Sequence, residues 1–132
     1  NWMATPLMAE IATRWIIDGT AQTLLKWQRK NLDHRNAIVR SKFGPLDFAS
    51  SPYGMHVWLP LPEPWKARDF VEHARNEGVA VAASSNFRTG EEAAPEAVRV
   101  CVGIGTEQEL AKGLSIIARL AGNSPEPALL AI

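Results

Sequence analysis

The sequence is poor in cysteine and tyrosine and carries no net charge. Its one cysteine, Cys101, rules out an intramolecular disulfide and fits a reducing compartment. Fourteen Lys and Arg balance fourteen Asp and Glu, so overall charge gives no reason to expect nucleic acid or an anionic membrane as a partner. No apolar run approaches the ~18 residues needed for a membrane span. The opening Asn1 to Pro6 lacks the basic-then-apolar pattern of a secretory signal. Together these absences predict a cytoplasmic chain. Catalytic signatures are missing too. No serine or cysteine sits in a nucleophile elbow, and no glycine-rich phosphate loop precedes a helix. Gly103-Ile104-Gly105 lacks a third glycine and reads as a tight turn. His34, His56 and His73 show no paired ligand spacing, which argues against zinc.

What is present suits one domain. The chain has 132 residues, 46% hydrophobic and 21% charged, enough apolar material for a core and too much for disorder. Five tryptophans, several in segments that otherwise look exposed, and an opening helix signal without an initiating methionine point to a severed lobe.

The first third reads as helical. Thr5 suits a cap and Pro6 the first helical position, and Leu7, Ile11 and Trp15 recur every four residues. Asp18-Gly19-Thr20 breaks the pattern. A second helix is predicted from about Ala21 to Lys42, with Leu25, Leu32, Val39 and Phe43 inward and Lys26, Arg29, Lys30, Arg35 and Arg40 on the opposite face. Gly44-Pro45 ends it, and a loop runs to Pro52.

Alternation then predicts a strand over 55–61, with His56 and Trp58 on its less buried side. A short helix over 65–77 follows, with Ala67, Phe70, Val71 and Ala74 inward and Gly78 at its end. Val79-Ala80-Val81-Ala82 reads as a second strand. Ser84 to Glu96 is a polar loop long enough to suspect a function. A third strand over 97–102 sends Val98, Val100 and Val102 one way and Arg99 and Cys101 the other. Thr106 and Glu109 have capping-box spacing for a last helix to about Leu120.

The predicted fold is therefore an α+β two-layer sandwich of the broad α/β kind. A small sheet of three or four strands is covered on one face by the helices at 65–77 and 106–120, and a long helical arm precedes it. The expected divisions are an arm over 1–43, a small domain over 44–122 and a tail over 123–132. Arg99, mid-strand on the uncovered face, is the residue singled out. A guanidinium there grips a carboxylate through two parallel hydrogen bonds, or else it lies exposed with its stem over apolar surface. Cys101 reads as a small strand hydrophobe.

Three segments resemble the small domain of fold-type-I pyridoxal-phosphate proteins. They are Gly54 to Pro62, a glycine-led strand; Glu77 to Val81 leading into Ser84-Ser85-Asn86-Phe87; and Val98 to Gly103 with the Thr106 helix behind it. The Gly-x-His-x-Trp-Leu wording at 54–59 and Trp15 to Ala21 are most similar to MocR-type regulators of the GntR group, which join a winged-helix DNA reader to an aminotransferase-like domain.

The resemblance implies that Arg99 holds the α-carboxylate of an amino acid, with Gly54, Met55 and Phe87 at the mouth of that site. It implies pyridoxal phosphate in the full-length protein and none on this piece, because none of Lys26, Lys30, Lys42, Lys66 or Lys112 lies in the family's cofactor-lysine context. It implies as partners a large cofactor domain of the same chain, a homodimer mate and an amino-acid-like small molecule. DNA would be reached only through a separate N-terminal domain, and no membrane is involved. Met55 stands where many aminotransferases have a second glycine, and Ser84-Ser85 where Pro-Gly is common. A plain aminotransferase, or a free-standing interaction domain without cofactor, are the other readings. In any of these the piece alone runs no reaction.

Overall fold

In a computed structural model the described residues run from Thr5 to Ser124. The element order is α1 (Pro6–Ile17), α2 (Thr20–Phe43), β1 (Ala49–Ser50), β2 (His56–Pro60), α3 (Ala67–Asn76), β3 (Ala82–Ala83), a 3₁₀ turn (Ser84–Phe87), β4 (Ala97–Cys101) and α4 (Glu107–Gly122). The four strands form one antiparallel sheet in the order β1-β2-β4-β3. The fold is the expected α+β sandwich with helices over one sheet face. Most of the tail over 123–132 lies outside the described residues.

The period-two pattern of β2 and β4 sets the layers. Val57 and Leu59 of β2, with Val98 and Val100 of β4, face the helices and are buried. Phe70 of α3 and Leu114 and Ile117 of α4 close over them. Each such side chain contributes roughly 1.5–3 kcal/mol on leaving water. The second half of α2 joins this layer through Val39 and Phe43, so three helices cover the sheet where the sequence pointed to two.

Local chemistry places the helix ends. The α4 capping box is formed. Thr106 Oγ1 accepts from the Glu109 N–H at 3.2 Å, and the Glu109 carboxylate accepts from the Thr106 N–H at 2.7 Å. Those bonds hold the Glu109 pKa below its ordinary value, led by the backbone N–H of Thr106. At the end of α3, Gly78 takes φ +83°. The Val79 N–H reaches back to Ala74 O at 2.8 Å and the Gly78 N–H to Arg75 O at 2.9 Å, the paired bonds of a Schellman ending.

That ending moves a predicted strand. With its N–H committed to α3, Val79 is not in the ladder, and β3 pairs with β4 only at Ala82 and Ala83. The strand expected over 79–82 is thus a two-residue strand at 82–83. Conversely, β1 falls inside the expected loop, where Ala49 and Ser50 pair with Trp58 and Val57.

Two further expectations are corrected. No residue of α1 is buried, and Leu25 of α2 is 43% exposed. The helical apolar stripe meets the core only from Leu32 onward. Arg35, expected on the outer face, is 5% exposed. Its Nε donates to Val102 O and its Nη2 to Ile104 O, both at 2.5 Å, and Nη2 also donates to Gly105 O at 3.1 Å. This guanidinium fastens α2 to the turn between β4 and α4.

Candidate functional site

The sheet face away from the helices carries the chemistry. In β4 the pleat sends Arg99 and Cys101 to that face, while Val98 and Val100 go to the core. Directly opposite Arg99 stand Trp58 of β2 and Ala82 of β3, and His56 stands opposite Cys101. Short residues in β3 keep that side of Arg99 low. A cavity of ≈ 260 Å³ opens there, lined by Ala80, Val81, Ala82, Arg99 and Cys101.

The guanidinium lies over an aromatic ring. Its carbon stands 4.2 Å from the centre of the Phe87 ring, within cation–π range. The Trp58 ring meets Phe87 edge to face, with centroids 6.2 Å apart and planes at 69°. Phe87 reaches this position because the 3₁₀ turn brings the start of the 84–96 loop across the sheet. The turn's first residue is tied down, since buried Ser84 donates through Oγ to Pro95 O at 2.5 Å. Among the described residues Arg99 has no carboxylate partner and no side-chain hydrogen bond. Partly buried on the sheet, its planar fork of N–H donors is free for a ligand acceptor.

The structure thus brings Phe87 to Arg99. It places Gly54 and Met55 at the far end of β2. Gly54 O accepts from buried Asn36 Nδ2 at 3.0 Å. Met55 is 51% exposed, and its side chain lies so close over Gly103 that a Cβ on that glycine would stand 3.2 Å from Met55 Cγ. Trp58, which the sequence reading placed on this face without a role, is part of the cluster. The cross-strand register is what puts it there, and that register is not written in either strand alone.

His34 and His73 have their neighbours elsewhere in the fold. His34 lies 3.3 Å from Glu107. His73 packs edge-on to Trp65, its ring at 5.2 Å, and its Nδ1 lies 2.8 Å from Asp69 O. Among the described residues no group of three His, Cys, Asp or Glu is placed to hold a metal, and no helix is long and apolar enough to cross a membrane. None of the lysines lines the cavity beside Arg99, and Lys66 is engaged with Glu96 at 3.5 Å. The site offers a guanidinium and aromatic rings but no amine.

No family model matches the chain. In sequence it is similar to the uncharacterised HTH-type transcriptional regulator YdeF of Bacillus subtilis, 32% identical over 121 residues, which are 91% of this chain and 26% of that protein. The chain therefore spans about a quarter of this relative's length. In structure it is similar to an archaeal alanine:glyoxylate aminotransferase (TM-score 0.65, 21% identity, 85% of this chain and 29% of that one). It is also similar to the kynurenine aminotransferase of Pyrococcus horikoshii (0.69, 17%, 85% and 29%) and to LysN, the α-aminoadipate aminotransferase of Thermus thermophilus (0.69, 16%, 88% and 30%). The fold is that of an aminotransferase-like small domain, and the sequence relationship is to a regulator.

Proposed function

We propose that this aminotransferase-like small domain is the C-terminal lobe of a pyridoxal-phosphate-dependent regulator of the MocR type, and that Arg99 holds the α-carboxylate of an amino-acid effector or substrate. The observation that carries the reading is the state of Arg99. It sits partly buried on the one uncovered sheet face, beside a cavity, with no acid of the described chain to neutralise it. A guanidinium kept in that state is matched by an external carboxylate. The regulator relationship favours this reading over a plain aminotransferase. The aminotransferase neighbours support the enzyme as the second reading, and a cofactor-free interaction domain is the third.

The cofactor, with its lysine, belongs to a large domain elsewhere in the full-length protein, and this lobe alone is inactive. When bound, pyridoxal phosphate supplies the electron sink. The residues here orient the amino acid and shield it from water. Closing a lobe on the α-carboxylate couples ligand binding to domain geometry, which a regulator passes to a separate DNA-reading domain in a cytoplasmic homodimer. Helix α1 and the first half of α2 form the surface that meets the rest of the chain. Leu7, Met8, Ile16, Ile17 and Trp27 are each at least 60% exposed, and clustered apolar exposure of this kind marks a contact surface.

Arg99→Lys in the full-length protein tests the reading. The variant should bind the cofactor as the wild type does, by absorbance titration. Its amino-acid response should weaken at least about tenfold, because a point charge cannot replace a bidentate fork. Unchanged amino-acid affinity removes Arg99 from the site.

A further inference from the structure

We infer that Phe87 is a positioning residue for carboxylate recognition. It acts through Arg99 and does not touch the carboxylate itself. The inference rests on the reading of Arg99 given above.

A guanidinium has two kinds of surface. Its faces are weakly hydrated and stack on aromatic rings, whereas its N–H donors all lie in the plane and point outward from the edge. The guanidinium carbon lies over the Phe87 ring, 4.2 Å from its centre, a separation at which the ring can take one face of the guanidinium. Stacking therefore takes nothing from the edge that a carboxylate needs. It fixes the plane and leaves the fork open toward the cavity beside Ala80, Val81 and Ala82. An unstacked arginine keeps its full rotamer entropy to lose on binding. A stacked one has already lost part of it, which is preorganisation.

The ring is itself held. Trp58 meets it edge to face, and the loop that carries it is pinned at its base by the Ser84–Pro95 bond. Phe87 is still 39% exposed. A large apolar side chain left that open on a polar loop is poorly explained by core packing, and its position over the guanidinium gives it a task.

The experiment compares two probes on the full-length, cofactor-loaded protein. One is the tightest binder among the twenty L-amino acids. The other is the same amino acid as its α-carboxamide, which keeps the side chain and amine but has one acceptor oxygen in place of two and no charge, so it cannot take both bonds of the fork. Phe87→Leu should weaken the amino acid about three- to thirty-fold, the range of a partly desolvated cation–π contact, and leave the carboxamide within about twofold of wild type. Phe87→Tyr, which keeps the ring, should restore amino-acid affinity.

If Phe87→Leu binds the amino acid as tightly as wild type does, the inference is overturned. Equal weakening of both probes also overturns it, because Phe87 is then only a wall of the pocket. Arg99→Lys is run alongside. If it leaves amino-acid affinity unchanged, the reading of Arg99 itself fails. If it weakens the amino acid while Phe87→Leu does not, only the role of Phe87 fails. A panel in which no amino acid binds overturns both.

Discussion

Replacing Arg35 by Met keeps most of the side-chain stem and removes every donor, so it isolates what the buried guanidinium does. Three carbonyls lose their partner: Val102, Ile104 and Gly105. They are not equivalent. Val102 is fully buried, and its stranded carbonyl costs about 1–3 kcal/mol. Ile104 is 72% exposed and Gly105 is also exposed, so water replaces the guanidinium there. Those two bonds are worth about 0.5–1.5 kcal/mol each. The sum centres on about 4 kcal/mol, which in a chain of this size lowers Tm by roughly 15 °C. Urea unfolding followed by far-ultraviolet circular dichroism should show a lower midpoint at an unchanged slope. Arg35→Lys should fall between, since an ammonium reaches one carbonyl and not three. The competing outcome is physically real, because replacing a buried charge by an apolar group of similar shape is in some proteins neutral or stabilising. If Arg35→Met matches wild type within about 0.5 kcal/mol, the guanidinium's bonds only repay its own desolvation, and the fastening role assigned to it is wrong.

Two other expectations concern the arm and the cap of α4. Ile16→Lys lies on a helix without a buried residue. It should leave the unfolding free energy of the 132-residue chain, from urea titration, within about 0.5 kcal/mol of wild type yet lower the thermal midpoint of the full-length protein, and equal behaviour of the two would show that the arm is not a contact surface. Glu109 has a folded pKa below its ordinary 4.5, so its contribution to stability is present above that value and is lost as pH falls through the lower folded value. Glu109→Gln keeps the acceptor but cannot titrate. The stability difference between wild type and variant should shrink on acidification below pH 4.5, and a difference independent of pH would contradict the bonding seen at the cap.

Features set by a few neighbouring residues were legible in the sequence. Pro6 starts α1, Gly44 ends α2, Gly78 ends α3 and the Thr106–Glu109 box starts α4. The alternation of β2 and β4 correctly divides Val57, Leu59, Val98 and Val100 from Trp58 and Arg99. What depends on partners distant in sequence was not. Ala49 and Ser50 are a strand only because β2 lies beside them. Val79 and Val81 have strand-forming side chains, yet the ending of α3 takes the Val79 N–H. Arg35 was misplaced because a charge was assumed to face water. Its spacing said otherwise, since it lies three residues after Leu32 and four before Val39, both buried. At the site, Arg99 and Phe87 could be named from their segments, whereas Trp58 joins them only through the register of β2 against β4.

Helix α2 is a single rod of 24 residues shared by two regions of unlike character. From Leu32 to Phe43 it is clamped by the core, by the Arg35 fork and by Asn36. From Thr20 to Asn31 it protrudes, about 18 Å at 1.5 Å per residue. A rigid rod gripped at one end magnifies rotation at the other, so a tilt of about 10° in the clamped half sweeps the free end through roughly 3 Å. The rod begins where α1 attaches, so its geometry converts a small turn of the sandwich into a larger stroke at whatever the arm touches.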